Sequence, residues 1–328
     1  MIHKTTRSIL SVLLAVLLLV TSVPLTPAFA GDGGAVPPQS ESGKGRALTK
    51  DDSDTYLIYT AENLKEFAAI VNGTDSIPAD SDANAKLMND IVLNKKIEVD
   101  ENGTVTNQEE LSEWTPIGSV SRPYRGNFNG NGHTISGLYI KNTSSADYQG
   151  LFGYVGSSGK VQNLSVSGSV SGNDYVGGIA GQNSGSVEDC DFTGSVSGNN
   201  YVGGVVGYNG GTVENCYNTG IVSGNSYVGG VVGYNSGPVK NCYNTGSVTT
   251  SGSVTTSGSL VGGVVGYNSG SSTVENCYNT GSVSGPDSGN SNYVGGVVGW
   301  SDSGTVKNCY NTGNVTGTGD YVGGVVGG

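Results

Sequence analysis

Tyr201-Val-Gly-Gly-Val-Val-Gly-Tyr-Asn209, then Thr212-Val-Glu-Asn-Cys-Tyr-Asn-Thr-Gly220, then Val222-Ser-Gly224 is the stretch that decides the fold, because the chain repeats it. Units of this pattern begin at Tyr148, Tyr175, Tyr201, Tyr227, Leu260, Tyr293 and Tyr321, in steps of 27, 26, 26, 33, 33 and 28 residues. Self-similarity at such a period marks a repeat array, in which no unit can bury a core alone and each stacks on its neighbours. Helices are excluded for these units. A glycine costs about 1 kcal/mol in a helix interior, and 56 of the 328 residues are Gly. Short Val, Tyr and Thr runs cut by Gly, Asn and Ser read as strands and turns. Parallel coiling brings equivalent residues of successive units to about 4.8 Å, so the units read as a β-solenoid with one coil per unit.

Alternation within Val161-Gln162-Asn163-Leu164-Ser165-Val166 tells which way the side chains point. The apolar Leu164 column points in and continues as Cys190, Cys216, Cys242, Cys277 and Cys309. The Val166 column also points in and becomes Asn218, Asn244, Asn279 and Asn311. Buried amides are tolerable there if they hydrogen-bond up and down the stack. These cysteines and asparagines are the predicted structural core ladder. The Ser165 column points out and becomes Tyr217, Tyr243, Tyr278 and Tyr310. A second aromatic column follows the Gly-Val-Val-Gly run: Tyr208, Tyr234, Tyr267 and Trp300. Both 33-residue steps carry their insertion between the Thr-Gly-x-Val strand and the next unit, which predicts one exposed corner.

Five cysteines in one inward column, with no second family to pair with, argue against disulfides. In-register parallel stacking also orients them poorly for a bridge. The prediction is free thiols behaving as small hydrophobes. No CxxC pair is present, so neither redox chemistry nor structural zinc is expected.

The remaining chain divides into three parts. Residues 1–30 carry Lys4 and Arg7, an apolar run from Ile9 to Val20, and Ala28-Phe29-Ala30. That is the pattern of a secretory signal peptide; the run is shorter than the about 20 residues a membrane span needs. Residues 31–53, rich in Gly, Pro, Ser and charge, read as a disordered linker. Residues 54–147 read as an N-terminal cap with the first coils. Within them Thr60 N-caps a helix through Asn72, Leu64, Phe67, Ala68 and Val71 share its inner face, and Gly73 stops it. Strand-like runs follow at Ile91-Val92-Leu93, Trp114 to Ile117, Phe128, and Thr134 to Ile140, with turns at Asn102-Gly103 and residues 129–132. Residues 148–328 are the repeats. The expected protein is secreted or on the cell surface, with no membrane span after cleavage. Its net charge of −12 argues against nucleic-acid binding. His133 alone outlasts cleavage, so a His triad or multi-His zinc site has no residues to build it.

The runs Gly150-Leu151-Phe152-Gly153 and Gly-Val-Val-Gly resemble the GLUG repeat of bacterial exported proteins. Upstream, residues 59–64, 114–118 and 126–135 resemble the usual lead-in of those proteins, and the similarity runs from about Tyr56 to the C-terminus. The resemblance implies an all-β, right-handed parallel β-helix (solenoid) with an N-terminal cap containing one short helix. It implies a place in surface proteins, adhesin-like proteins or immunoglobulin A-specific metallopeptidases. The family's repeats offer no catalytic residue to carry over, and the HExxH zinc motif of the peptidases is absent. The last residues begin a seventh unit, which suggests a longer protein, since solenoids need a terminal cap.

Candidate chemistry is sparse. Glu188, Asp189 and Asp191 form the densest acidic cluster of the repeats, without a nearby Arg, Lys or His, and read as a solvated patch. His133 reads as part of a structural turn. A column of Thr219, Thr245, Thr280 and Thr312 offers one Thr per coil, too few for a flat ice-binding array. The two aromatic columns are the candidate ligand surface. Exposed aromatics bind sugar rings or peptide segments; self-stacking along the solenoid, which stabilises coils without any ligand, is the favoured account of them. No cofactor, metal or catalytic residue is expected. The expected function is a non-catalytic extracellular module that presents surface to a glycan or a host or cell-surface protein. The alternative is the accessory repeat region of a larger secreted peptidase or polysaccharide-active enzyme.

Overall fold

The structure is a computed structural model that describes residues 46–100, 105–141, 145–250, 259–286, 292–319 and 321–328. The predicted signal peptide, the Asn102-Gly103 turn and most of both insertions (residues 251–258 and 287–291) lie outside the described residues.

Each repeat is one coil of a parallel β-helix with three sides. The first side carries the Tyr-Val-Gly strand, which pairs in parallel from Asp174–Gly177 through Asn200–Gly203, Ser226–Gly229, Leu260–Gly262 and Tyr293–Gly295 to Tyr321–Gly323. The second side carries the Val-Gly-Tyr-Asn strand, from Phe152–Val155 to Val298–Asp302. The third side is the Thr-Val-Glu to Val-Ser segment. Register is strict across all three. Val202 pairs with Val228, Tyr208 with Tyr234, and Val213 with Val239. The insertions do not disturb it: Val228 pairs with Val261 and Val248 with Val283.

The third side changes character along the axis. Lys160–Ser171 and Ser186–Ser197 are unbroken 12-residue strands. From the next coil onward the same segment splits into three runs, Thr212–Glu214, Tyr217–Asn218 and Ile221–Gly224. The split follows the residue in one inward column. Val166 and Phe192 occupy it in the unbroken strands, and Asn218, Asn244 and Asn279 occupy it where the strand breaks. Asn218 accepts from the Gly220 N–H at 3.1 Å and donates to the Gly220 carbonyl at 3.0 Å. Its amide takes over backbone groups that a strand would pair, and the chain bends there.

The core is a bundle of valine columns. Val202, Val205, Val206, Val213 and Val222 of one coil are fully buried, as are their equivalents above and below. A buried Val side chain contributes about 1.5 kcal/mol or more over an exposed one. The inner space is narrow. A Cβ on Gly204 would sit 2.5 Å from Asn218 Cγ, and one on Gly230 would sit 2.4 Å from Asn244 Cγ. Backbone crowds the corner as well: a Cβ on Gly204 would meet the Gly230 carbonyl oxygen at 2.2 Å and one on Gly203 the Val206 carbonyl oxygen at 2.0 Å, so backbone and amide together leave room only for glycine.

The N-terminal end is closed by the helix Ala61–Asn72, which Thr60 caps by accepting from the Asn63 N–H at 3.1 Å. Phe67 on its inner face meets Tyr56, Tyr124 and Phe128 at 5.8–6.2 Å between ring centroids. The third side begins under this cap, with Thr55–Ile58 parallel to Asn84–Leu87, then Asn127–Asn129, then Lys160–Ser171. Two local expectations are corrected. The linker reading does not hold for the last residues of its stretch, where a short strand forms. Thr49–Lys50 pairs antiparallel with Thr55–Ile58, Lys50 holds Asp54 at 2.8 Å, and Arg46 lies 3.5 Å over the Tyr59 ring. Trp114 to Ile117 is not a strand. Pro116 cannot donate to a ladder, Trp114 Nε1 donates to the Leu151 carbonyl at 3.1 Å, and Ile117 alone forms an isolated bridge to Phe152.

The amide ladder makes a sharp prediction. Asn244→Ala would leave Asn218, Asn279 and the Gly246 carbonyl each short of a buried hydrogen bond. The expected loss is about 3 kcal/mol or more of local stability, since each of the three orphaned buried partners costs about 1–3. Asn311→Ala, at a half-buried position near the open end, should cost distinctly less. Amide exchange resolved coil by coil measures both, because a repeat stack need not unfold in one step.

Candidate functional site

The predicted core residues lie as follows. Cys190, Cys216, Cys242 and Cys277 are buried, and Cys309, in the last full coil, is half-exposed; all five are free thiols. Each sulfur lies 3.1–3.2 Å from the carbonyl oxygen two residues earlier, as in Cys216 Sγ to Glu214 O and Cys242 Sγ to Lys240 O. That contact is attractive only for S–H, since a thiolate would face a carbonyl dipole end-on. Burial pushes the Cys190 and Cys242 thiols well above the ordinary range. Hydrogen bonds within the column pull the Cys277 and Cys216 thiols the other way, so the shifts alternate along the stack, while each sulfur keeps its carbonyl contact.

Asn218, Asn244 and Asn279 are fully buried, and each donates to the amide oxygen of the next coil at 2.8 Å. Sequence reasoning missed a second buried ladder. Asn183, Asn209 and Asn235 each donate to the next coil at 2.8–2.9 Å, and Asn268 donates to Ser301 Oγ at 3.1 Å. The signal was present, since Asn follows Tyr208, Tyr234 and Tyr267 of the second aromatic column in three successive units. A third ladder runs on the outside through Asn163, Asp189, Asn215, Asn241, Asn276 and Asn308, all in the left-handed region at φ 51–55°. Among the described residues no buried side-chain polar atom lacks a hydrogen-bond partner.

The outer ladder has one fault. Asn215, Asn241, Asn276 and Asn308 each donate to the preceding coil at 2.9–3.1 Å, and Asn163 donates to Asn129 at 3.2 Å. Asp189, at the one remaining step, is a carboxylate. It accepts from Asn215 above and has no proton to give Asn163 below.

The predicted aromatic columns are both present. Tyr217, Tyr243, Tyr278 and Tyr310 stack face to face at 4.7, 4.8 and 5.0 Å with interplanar angles of 3–5°. Tyr208 and Tyr234 stack at 4.9 Å, while Tyr267 and Trp300 tilt by 51–59° against their predecessors. A third column was read only as a unit marker. Tyr148, Tyr175, Tyr201 and Tyr227 stack at 4.6–4.9 Å, all at φ 54–59°. It meets the second column edge to face, as in Tyr201 to Tyr234 at 5.7 Å, and forms one continuous aromatic surface. Burial pushes the phenols of Tyr201 and Tyr217 up to about 12, the latter also through the Asp191 charge. Because ring faces cover one another, the columns offer solvent their edges and hydroxyls.

The acidic cluster is corrected. Lys160, one coil earlier, holds Glu188 at 2.7 Å and keeps its carboxyl below the usual range, with Ser186 also bonded to Glu188. Asp191 accepts from Ser165 at 2.6 Å and Asp189 from Asn215 at 2.9 Å. The three carboxylates therefore serve three different partners. His133 Nδ1 lies 3.2 Å from a carboxylate oxygen of Asp90, 43 residues earlier in the chain. Thr219, Thr245, Thr280 and Thr312 are exposed, and Thr219 bonds Thr193 at 2.7 Å. Among the described residues no group of three or more His, Cys, Asp or Glu is placed to hold a metal, and no helix is long and apolar enough to cross a membrane.

The chain carries five matches to the GLUG motif, at residues 172–197, 198–223, 224–249, 257–284 and 290–316. Over 63 residues it is 43% identical to an Evansella cellulosilytica protein provisionally described as a Gly-rich membrane protein, covering 19% of this chain. Over 71 residues it is 41% identical to halomucin of Haloquadratum walsbyi, covering 21% of this chain. The chain spans 7% and 1% of the length of these two relatives. A solved Bacteroides ovatus structure, provisionally described as an immunoglobulin A1 protease, shares the fold at TM-score 0.56 and 23% identity, over 80% of this chain and 76% of its own.

Two predictions follow from the columns. Asp189→Asn should complete the outer ladder and stabilise the protein by about 0.5–1.5 kcal/mol, read as slower amide exchange around residues 160–190. Iodoacetamide should alkylate Cys309 in the native protein and reach Cys216 and Cys242 only after denaturation, as mapped by peptide mass.

Proposed function

We propose that this chain is a non-catalytic repeat module of an exported protein, which presents its tyrosine-lined sides at the cell surface or outside the cell to a glycan or protein partner. What supports the reading most is the direction of the polar groups. The buried amides and thiols bond along the stack to their own equivalents. The carboxylates are held by separate partners and do not converge. Catalysis needs a nucleophile, base and charge stabiliser aimed at one point. The side chains that face solvent in long rows are tyrosines, residues suited to recognition because a large rigid ring is immobilised at small entropic cost. The relatives described as a membrane protein and a halomucin fit a surface location.

A second reading has the chain as the accessory region of a larger secreted peptidase. Its support is the fold shared with the protein described as an immunoglobulin A1 protease, together with the small fraction of its curated relatives that this chain spans. An HExxH motif elsewhere in the same open reading frame would favour it.

The test replaces Tyr243 and Tyr278 with Ser in one variant and with Phe in another, and measures binding to glycan arrays and host-cell surfaces beside the melting curve. The Phe variant keeps the ring stack. Loss of binding in both variants, with the Phe variant melting normally, supports recognition through the phenol edges. Lost stability in the Ser variant with no change of binding in either would overturn it.

A further inference from the structure

We propose that Tyr217, Tyr243, Tyr278 and Tyr310 form a site of oxidative tyrosine coupling, in which a one-electron oxidant joins the rings of successive coils through their ortho carbons and staples the solenoid covalently.

Geometry carries the proposal. The four tyrosines are register partners in adjacent parallel strands, with Tyr217 paired to Tyr243, Tyr243 to Tyr278, and Tyr278 to Tyr310. Their rings face one another at 4.7–5.0 Å and are within 5° of parallel. A phenoxyl radical carries much of its spin on the ortho carbons. Near-parallel rings at these spacings bring the ortho-carbon edges of successive rings alongside one another before any oxidation occurs. Holding two reactants in this way replaces a bimolecular encounter by an intramolecular one, which supplies a large effective concentration.

Access and proton transfer also fit. The rings are half-buried to exposed, and Tyr310 is 52% exposed, so an oxidant in solution reaches the column. At its lower end the register partner of Tyr217 is Asp191, a carboxylate in place to take the phenolic proton as the electron leaves. The thiols that would quench a radical point the other way; of these only Cys309 is half-exposed. The column Tyr148, Tyr175, Tyr201 and Tyr227 stacks as closely, but Tyr208 and Tyr234 wedge edge-on against it and limit the tilt that bond formation needs.

The chemistry balances. Each of two phenols gives up one electron and one proton. The two radicals join carbon to carbon, and the ring hydrogens at the new bond shift to the oxygens, restoring two phenols. Two electrons and two protons go to the oxidant, for instance one peroxide reduced to two waters by a haem peroxidase. Val306, Cys309, Asn311 and Val315 of the Tyr310 coil are half-buried. A link from Tyr278 to Tyr310 ties that coil to the buried coil beneath, and cross-links stabilise by restricting the unfolded chain.

The experiment uses the full chain with Cys309→Ser, at high dilution, treated with a haem peroxidase and hydrogen peroxide. Trypsin cleaves after Lys240 and Lys307, so a Tyr217–Tyr243 link joins fragments 161–240 and 241–307, and a Tyr278–Tyr310 link joins 241–307 and 308–328. The expected result is dityrosine fluorescence in the monomer, loss of two hydrogens per link, fragment pairs sequenced to these tyrosines, and slowed amide exchange at residues 305–316. Tyr243→Phe keeps the stack and should abolish the Tyr217–Tyr243 link while leaving Tyr278–Tyr310. Changing all four to Phe should abolish both. Links found only between molecules, links confined to other columns, ring hydroxylation without coupling, or unchanged joined fragments in the Phe variants would each overturn the proposal.

Discussion

The spacing between adjacent parallel strands governs this molecule. At about 4.8 Å, a side chain in strict register must lie against its own equivalent in the coil above and below. Each column therefore admits only groups that tolerate themselves. Valine does so by packing. An amide does so because it gives a proton on one side and takes one on the other, as in the 2.8 Å steps from Asn218 to Asn244 to Asn279 to Asn311. Tyrosine does so by stacking its ring, and a thiol by turning its proton aside to a carbonyl. Asp189 shows the converse. A carboxylate among amides accepts from above and cannot answer the acceptor below, so the outer ladder is interrupted there.

The same constraint sets the cross-section. The inward amide of the third side reaches the Gly-Gly corner of its own coil closely enough to exclude a Cβ, as Asn218 does at Gly204. A Gly-Gly pair in one part of a unit and an Asn about fifteen residues later are thus one packing decision read at two places in the chain. Where the inward residue is Phe192, its ring fills the same space against Gly178 and the third side runs as an unbroken strand. Where it is Asn, the amide captures the following glycine and the strand divides. The remaining corner is where the units differ in length.

A stack of this kind uses its polar groups along its axis. The inner ladders are satisfied within the fold, and the carboxylates of the acidic cluster are each taken up by separate neighbours. What remains for the outside world is repetition: parallel rows of ring edges and hydroxyls at the spacing of the coils. Such a surface suits a partner that makes many weak contacts, and it suits chemistry between neighbouring identical side chains. Both follow from register and neither requires a pocket.

The repeat could be read directly, because its period, its glycine content and the alternation around Leu164 and Val166 each point to stacked parallel strands. The helix from Ala61 to Asn72 was equally legible, since Thr60, Gly73 and the apolar face between them are local signals. Partners far apart in the chain were not. Lys160 meets Glu188, Asn183 begins a ladder that ends at Ser301, and Arg46 closes over Tyr59 in a segment whose composition suggests a linker. Sequence periodicity says which residues share a column. Only the folded chain decides what a column does, because a hydrogen bond, a stacked ring or a broken ladder depends on which atoms face each other across one strand spacing. Composition cannot carry that information.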